Sequence, residues 1–314
     1  MRFFSLPTGQ KPETLSVMNF SRRHLLKHVP FTGITALAAT GYSADKEKTE
    51  PWLKISLQQY SFNRQLQKGE LDPLDYPKLA VEKCGISALE YYNGFIMEKA
   101  NDNAWFAELK KRGDDLGVEN QLMLLKNDRA LDDADAAVRK LAAEDYRPWL
   151  EGCKTLGCHS VRVDVRSAGD PAEVMKQSID GLNQLCDIAK PYGIDIIVEN
   201  HGNHSSNGKW VADLMTALGR DNCGTLPDFG NFKDYDKYQG VKDMLPWARA
   251  ICAKVHHIEE DGSAKDTDFT KMLNIVKDGG FKGYIGIEFE GKSDPVAGIL
   301  GTKQLIEKTL AEIG

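Results

Sequence analysis

Four short apolar runs in the C-terminal half each end in a residue of the kind that holds a hard or borderline metal ion. They are Ile196-Ile197-Val198-Glu199, Gly224-Thr225-Leu226-Pro227-Asp228, Ala253-Lys254-Val255-His256 and Ile285-Gly286-Ile287-Glu288. The end residues lie 29, 28 and 32 positions apart. A strand plus its returning helix in an eight-fold barrel of about 250 residues takes about 30. The spacing therefore places Glu199, Asp228, His256 and Glu288 at equivalent points of four successive βα units. In a closed barrel those points meet at one mouth. Two Glu, one Asp and one His form a mixed oxygen and nitrogen set suited to one divalent ion, Mn2+, Co2+, Mg2+ or Zn2+, with positions open for substrate oxygens.

Each residue alone has a plainer explanation. Glu199 fits a strand-end carboxylate paired with Arg or Lys, because a carboxylate closing Ile-Ile-Val is costly without a partner. Asp228 fits a turn aspartate, and His256 a hydrogen-bonded core histidine. Four coincidences at one barrel repeat outweigh the separate explanations. Strand alternation selects His256 over His257, since it puts Lys254, His256 and Ile258 on one face. Lys254 on that face adds a cation near a developing oxyanion. Glu290 shares the face of Glu288.

The elements that must position these residues alternate. Strand-like runs cover 53–60, 86–91, 118–125, 160–165, 194–199, 223–228, 251–258 and 284–289, with helical patterns between them. One of these, 133–156, reads as a single long helix closed by Gly157. Such alternation implies a parallel sheet with right-handed crossovers, and eight units in this length favour a closed (β/α)8 TIM barrel over an open α/β sheet. No Gly-x-Gly-x-x-Gly follows the first strand, where an open nucleotide-binding sheet would carry one.

Composition narrows the partners. The chain has 314 residues with formal net charge −6. An acidic balance argues against nucleic acid, whose phosphates need clustered Lys and Arg, and is compatible with a small neutral or cationic substrate. Six scattered cysteines without a Cys-x-x-Cys pair fit buried thiols rather than a disulfide framework. Self-association into a homo-oligomer is left open.

The first 44 residues do not look like part of the fold. Ser21-Arg22-Arg23 precedes a small-residue apolar run, 29–39, and Ala38 to Ala44 offers small residues for cleavage. This resembles a twin-arginine export signal, with Met18 as an alternative start and residues 45–51 as a charged linker. The destination would be periplasmic or extracellular. The apolar run is far short of the about 20 residues a membrane span needs.

The motifs Val198-Glu199-Asn200-His201-Gly202, Leu226-Pro227-Asp228-Phe229-Gly230-Asn231, Lys254-Val255-His256 and Ile287-Glu288-Phe289-Glu290-Gly291 resemble the xylose isomerase-like TIM barrel superfamily, in its sugar phosphate isomerase/epimerase group, across about residues 52–314. The resemblance implies one divalent metal held by Glu199, Asp228, His256 and Glu288. It also implies Glu199 and Glu288 as acid/base partners on either side of the substrate carbon. Asn231 departs from the group, standing where ketose epimerases often carry a substrate-contacting His. The expected reaction is proton transfer next to a carbonyl of a carbohydrate, through an enediolate stabilised by a Lewis acid. His201, Asn231, Lys254, Arg162 and Glu90 are the expected substrate-side residues. A 3-keto-glycoside lyase would use the same site to eliminate the C1 group. An apurinic endonuclease and a non-catalytic carbohydrate-binding barrel fit less well.

Overall fold

The computed structural model describes residues 51–314. The N-terminal extension, the export signal and residues 45–50 of the linker lie outside the described residues. Eight parallel strands run in chain order: β1 Leu53–Gln58, β2 Ala88–Tyr92, β3 Glu119–Leu124, β4 Ser160–Val163, β5 Asp195–Glu199, β6 Cys223–Leu226, β7 Ile251–Val255 and β8 Gly283–Phe289. Hydrogen bonding links them in the order β6-β5-β4-β3-β2-β1-β8-β7. Two parallel bridges, Thr225 to Ala248 and Asp228 to Cys252, join β6 to β7 and close the ring. Pro227 lacks an N–H but its carbonyl still accepts from Cys252 N at 2.9 Å, and Phe229 N donates to Cys252 O at 3.0 Å. The closure thus carries through a residue that ends β6 as a regular strand.

Side-chain parity divides the strands into two layers. Leu57, Leu89, Tyr91, Val161, Val163, Ile196, Val198, Ile251, Ala253, Ile285 and Ile287 belong to the large apolar core shared with the helices. The opposite parity fills the barrel. A small separate cluster, Leu122, Leu124, Ile197, Leu226, Ala250 and Cys252, packs there. The rest of that parity is polar or charged and buried: Ser56, Gln58, Glu90, Arg162, Glu199, Lys254 and Glu288. Because successive side chains alternate across a strand, every one of these groups is aimed inward by the register that gives the outer core its Ile, Leu and Val.

Two expectations change in the structure. The single helix over 133–156 is two helices, Ala136–Glu144 and Arg147–Leu156. Asp135 caps the first, and Pro148 lies in the first turn of the second, where it fits because that turn lacks an N–H partner in any case. β7 ends at Val255, three residues before the expected 258.

Candidate active site

The mouth of the barrel holds two clusters of charged groups. On the β4–β5 side, Arg162 Nε lies 2.5 Å from Glu199 Oε2 and its Nη1 lies 3.1 Å from Asp164 Oδ1. The Glu199 contact is one of charge without hydrogen-bond alignment, so Arg162 Nε and Glu199 Oε2 both remain buried without an aligned partner. The other Glu199 oxygen accepts from Asn231 Nδ2 at 2.9 Å. His201 Nδ1 is 3.1 Å from Asp164 Oδ1. Arg166 adds a second guanidinium, its Nε 3.6 Å from Asp164 Oδ2.

On the β6–β8 side, Lys254 is the centre. Its Nζ lies 2.7 Å from Glu290 Oε1, 3.2 Å from Glu288 Oε2 and 3.9 Å from Asp228 Oδ2. Backbone N–H groups of Gly230 and Asn231 donate to Asp228 Oδ1 at 2.6 and 2.9 Å. Asn200 fixes the same residue's backbone from both ends, donating to Asp228 O and accepting from Asp228 N. Asp228 Oδ2 is left buried without a hydrogen bond, facing the ammonium. Cys252 Sγ donates to Glu288 Oε2 at 3.3 Å.

Two close approaches make room for these groups. A Cβ at Gly230 would lie 3.0 to 3.2 Å from the Lys254 side-chain carbons, and one at Gly286 only 2.4 Å from Glu90 Oε1. Glu90, on β2, accepts from Ser56 Oγ at 2.5 Å.

Electrostatics follow from burial and neighbours. Burial pushes Glu90 up to about 8. Burial raises Glu288 to about 7 against the pull of Lys254, and it raises Glu199 against the pull of Arg162. Burial also disfavours the Lys254 ammonium, but Asp228, Glu288 and Glu199 outweigh it and hold the lysine charged. The hydrogen bond to Asp164 raises His201.

A cavity of about 240 Å³ opens between the two clusters, lined by Tyr60, Tyr92, Arg162, His201, Lys254 and Glu288 among others. That is near the small end of ligand pockets, which begin at about 300 Å³ for drug-sized molecules. Asp164, Arg166 and His201 are shared with a more open pocket of about 480 Å³ on the β3–β5 loops. Glu199 and Asp228 do not line the 240 Å³ cavity. They are 1% and 0% exposed and lie behind their cations.

Most of the residues picked out from the sequence converge here: Glu90, Arg162, Glu199, His201, Asp228, Asn231, Lys254 and Glu288. His256 does not. It is exposed and lines an adjoining pocket with His257, Lys237 and Thr267, which Lys254 and Gly230 also line. The reason is that alternation holds only while the strand lasts. After Val255 the chain turns into a small loop ladder, with Lys265 N donating to His257 O and an antiparallel bridge between Ile258 and Ala264. Asp164 was missed, although Val161-Arg162-Val163-Asp164-Val165 alternates and puts it on the face of Arg162.

Metal-ligand atoms come together in two places among the described residues: Asp164, Glu199 and His201, and Asp228, Cys252 and Glu288. Neither is the expected four-residue set, and each already contains a fixed cation. At 4 Å and an effective dielectric of 20, two unit charges interact by about 4 kcal/mol, so a divalent ion beside the Lys254 ammonium would meet about twice that in repulsion. A divalent ion at the β6–β8 group would have to share its carboxylates with the Lys254 ammonium.

Comparison with known proteins agrees with the architecture. The protein-family model described as "Xylose isomerase-like TIM barrel" matches residues 79–310. An inosose isomerase of Bacillus velezensis is 32% identical over 94 residues, which are 28% of this chain and 34% of that protein. The chain thus spans about a third of the length of this curated relative. Among solved structures, D-psicose 3-epimerase with D-tagatose from Clostridium cellulolyticum H10 superposes with a TM-score of 0.68 at 14% identity, covering 82% of this chain and 99% of that one. The IOLI protein "with a binding zinc atom" gives 0.66 at 17% identity, covering 82% and 98%. At such identities the likeness to these two structures concerns the fold.

Proposed function

The chain belongs to the xylose isomerase-like TIM barrel family, and we propose that it is a sugar isomerase or epimerase that moves a proton on the carbon next to a carbonyl. The observation that carries this reading is Glu288. It is a buried carboxylate that lines a small polar cavity, with an ammonium 3.2 Å from its Oε2 and a guanidinium in the facing wall. Burial brings it up to about 7, close to where a general acid/base works best at neutral pH.

In this reading Glu288 takes the proton from the carbon next to the carbonyl, and the electron pair of that C–H bond moves to form an enolate. Lys254 and Arg162 donate N–H groups to the sugar oxygens and balance the charge that develops. Glu199 returns a proton from the side of β5 once Arg162, whose Nε and the Glu199 Oε2 beside it lack aligned partners, turns to the sugar oxygens and uncovers it. Tyr60 and Tyr92, edge-to-face at 5.3 Å, offer an apolar wall to a sugar ring. Glu90, held protonated below about 8, is a neutral hydrogen-bonding group on the barrel floor. The relatives named as an inosose isomerase and a psicose epimerase support a polyol-derived ketone or a ketose as the substrate class.

The test is solvent exchange. The full chain is incubated with ketoses, inososes and 3-keto-glycosides in deuterated water, and deuterium at the carbon next to the carbonyl is followed by NMR. Wild type should exchange and convert its substrate. Glu199→Gln should still exchange while losing conversion, and Glu288→Gln should lose both. Full conversion by both variants would overturn the assignment. Export through the Ser21-Arg22-Arg23 segment is a further part of the proposal. Secretion that persists after Arg22→Lys with Arg23→Lys would count against it.

A further inference from the structure

We infer that Lys254 is the resident cation of this site and that its ammonium keeps a divalent metal ion out of the carboxylate cluster at the β6–β8 mouth. The inference stands on geometry. Three carboxylates from the ends of two strands, β6 and β8, converge on one Nζ, at 2.7 Å for Glu290, 3.2 Å for Glu288 and 3.9 Å for Asp228. Lys254 is 8% exposed, so the charge is placed deep in the mouth rather than at its rim. The surroundings are shaped for it, since a Cβ at Gly230 would press within 3.0 to 3.2 Å of the lysine stem. The nitrogen ligand expected from the sequence, His256, is exposed and lines an adjoining pocket that shares Lys254, not the cavity that Glu288 lines. The cluster thus offers carboxylate oxygens and one thiol, with an ammonium between them in place of an imidazole.

The second group of metal-ligand atoms has the same construction. Arg162 joins Glu199 and Asp164 there, so both candidate cation positions are supplied from the chain itself. A barrel built this way polarises a bound oxygen with N–H donors that never dissociate. The site would then be indifferent to chelators. The inference extends the proposed function by naming its electrophile, but the exclusion of metal does not depend on any substrate.

The experiment compares the full-length chain with Lys254→Met and Lys254→Arg. Each protein is incubated with excess Mn2+ or Zn2+, desalted and analysed for metal. Thermal unfolding is followed with Mn2+ and with EDTA. Wild type and Lys254→Arg should carry no stoichiometric ion and show the same Tm in both conditions. Lys254→Met should bind Mn2+ at least tenfold more tightly than wild type and gain Tm when it is added, as a ligand of the native state must produce. One ion per wild-type chain with an EDTA-sensitive Tm would overturn the inference. So would a folded Lys254→Met that takes up no ion. If Lys254→Met does not fold without metal, refolding by Mn2+ supports the inference, and failure of Mn2+ to refold it counts against it. Absence of exchange with every carbonyl sugar would sink the proposed function and leave the metal result unaffected.

Discussion

The two sides of the barrel mouth are built around different cations. On the β4–β5 side, Arg162 is spread between Glu199 and Asp164, and its planar fork suits two acceptors at fixed directions. That side also holds Arg166 and His201 and opens into the larger loop pocket. On the β6–β8 side, Lys254 is a compact point charge among three carboxylates. The first side balances two guanidinium groups against two carboxylates and leaves Arg162 Nε without an aligned partner, free for holding an oxygen. The second has carboxylate to spare, so a proton can be exchanged there. An Arg in place of Lys254 would fix more geometry, whereas an ammonium leaves Glu288 free to point at a substrate. In the proposed reaction the second side removes the proton, while the first mainly holds oxygens and returns a proton through Glu199.

The largest effect that can break this contrast is on rate. Glu288→Gln should lower turnover by about 10²–10⁴-fold, the usual worth of a positioned acid/base, in an assay of product formation under saturating substrate. Arg166→Gln, on the holding side, should raise KM more than it lowers kcat. Equal losses of kcat in both variants would erase the distinction between the sides.

Stability provides the next test. Lys254→Met and Arg162→Met each strip buried carboxylates of their partner, and breaking a buried ion pair costs about 3–5 kcal/mol. Chemical denaturation should register a loss of that size in both. Divalent metal should recover stability only in Lys254→Met, because removal of the lysine there opens a cluster of carboxylates and a thiol. Recovery in Arg162→Met instead would reverse the roles of the two sides.

A smaller effect concerns pH. Glu90 is raised to about 8 and Glu288 to about 7, both chiefly by burial. Between the ordinary value of 4.5 and these values the folded chain keeps protons that the unfolded chain has released. Stability therefore falls as pH rises through that window. Glu90→Gln should flatten the Tm profile between about pH 5 and about pH 8, leaving the part due to Glu288. A steeper profile in the variant would contradict the assignment. The smallest expected effect is Gly230→Ala. Its added Cβ, 3.0 Å from the Lys254 stem, should cost about 1–3 kcal/mol as overpacking and shift the ammonium, with less effect on Arg162.

Much of the fold was legible because barrel strands announce themselves twice. Their outer faces are runs such as Ile196 and Val198 or Ile285 and Ile287, and αL glycines such as Gly157 and Gly193 end helices before the next strand. The observed strands fall within two to three residues of the expected ones. The break between Glu144 and Arg147 was not legible as a break, because both halves carry helical patterns. In the site, Glu199, Asp228 and Glu288 follow from spacing alone. His256 failed since spacing counts residues but does not show where a strand stops.

What the sequence by itself determined is the repeat: eight strand–helix units, with ionisable residues at the ends of β5, β6 and β8. Local alternation of apolar residues and glycine stops is enough for that, because strand parity and helix punctuation are short-range properties. Only the tertiary structure decided which cation faces those carboxylates. β7 ends at Val255 because its partner β8 pairs with it there, Val255 opposite Phe289, and the loop beyond closes on itself. Lys254 is thereby the last inward residue of the strand, and His256 belongs to the loop. The end of the strand, set by pairing and loop closure rather than by composition, kept the expected ammonium of Lys254 inside and put the expected imidazole of His256 outside.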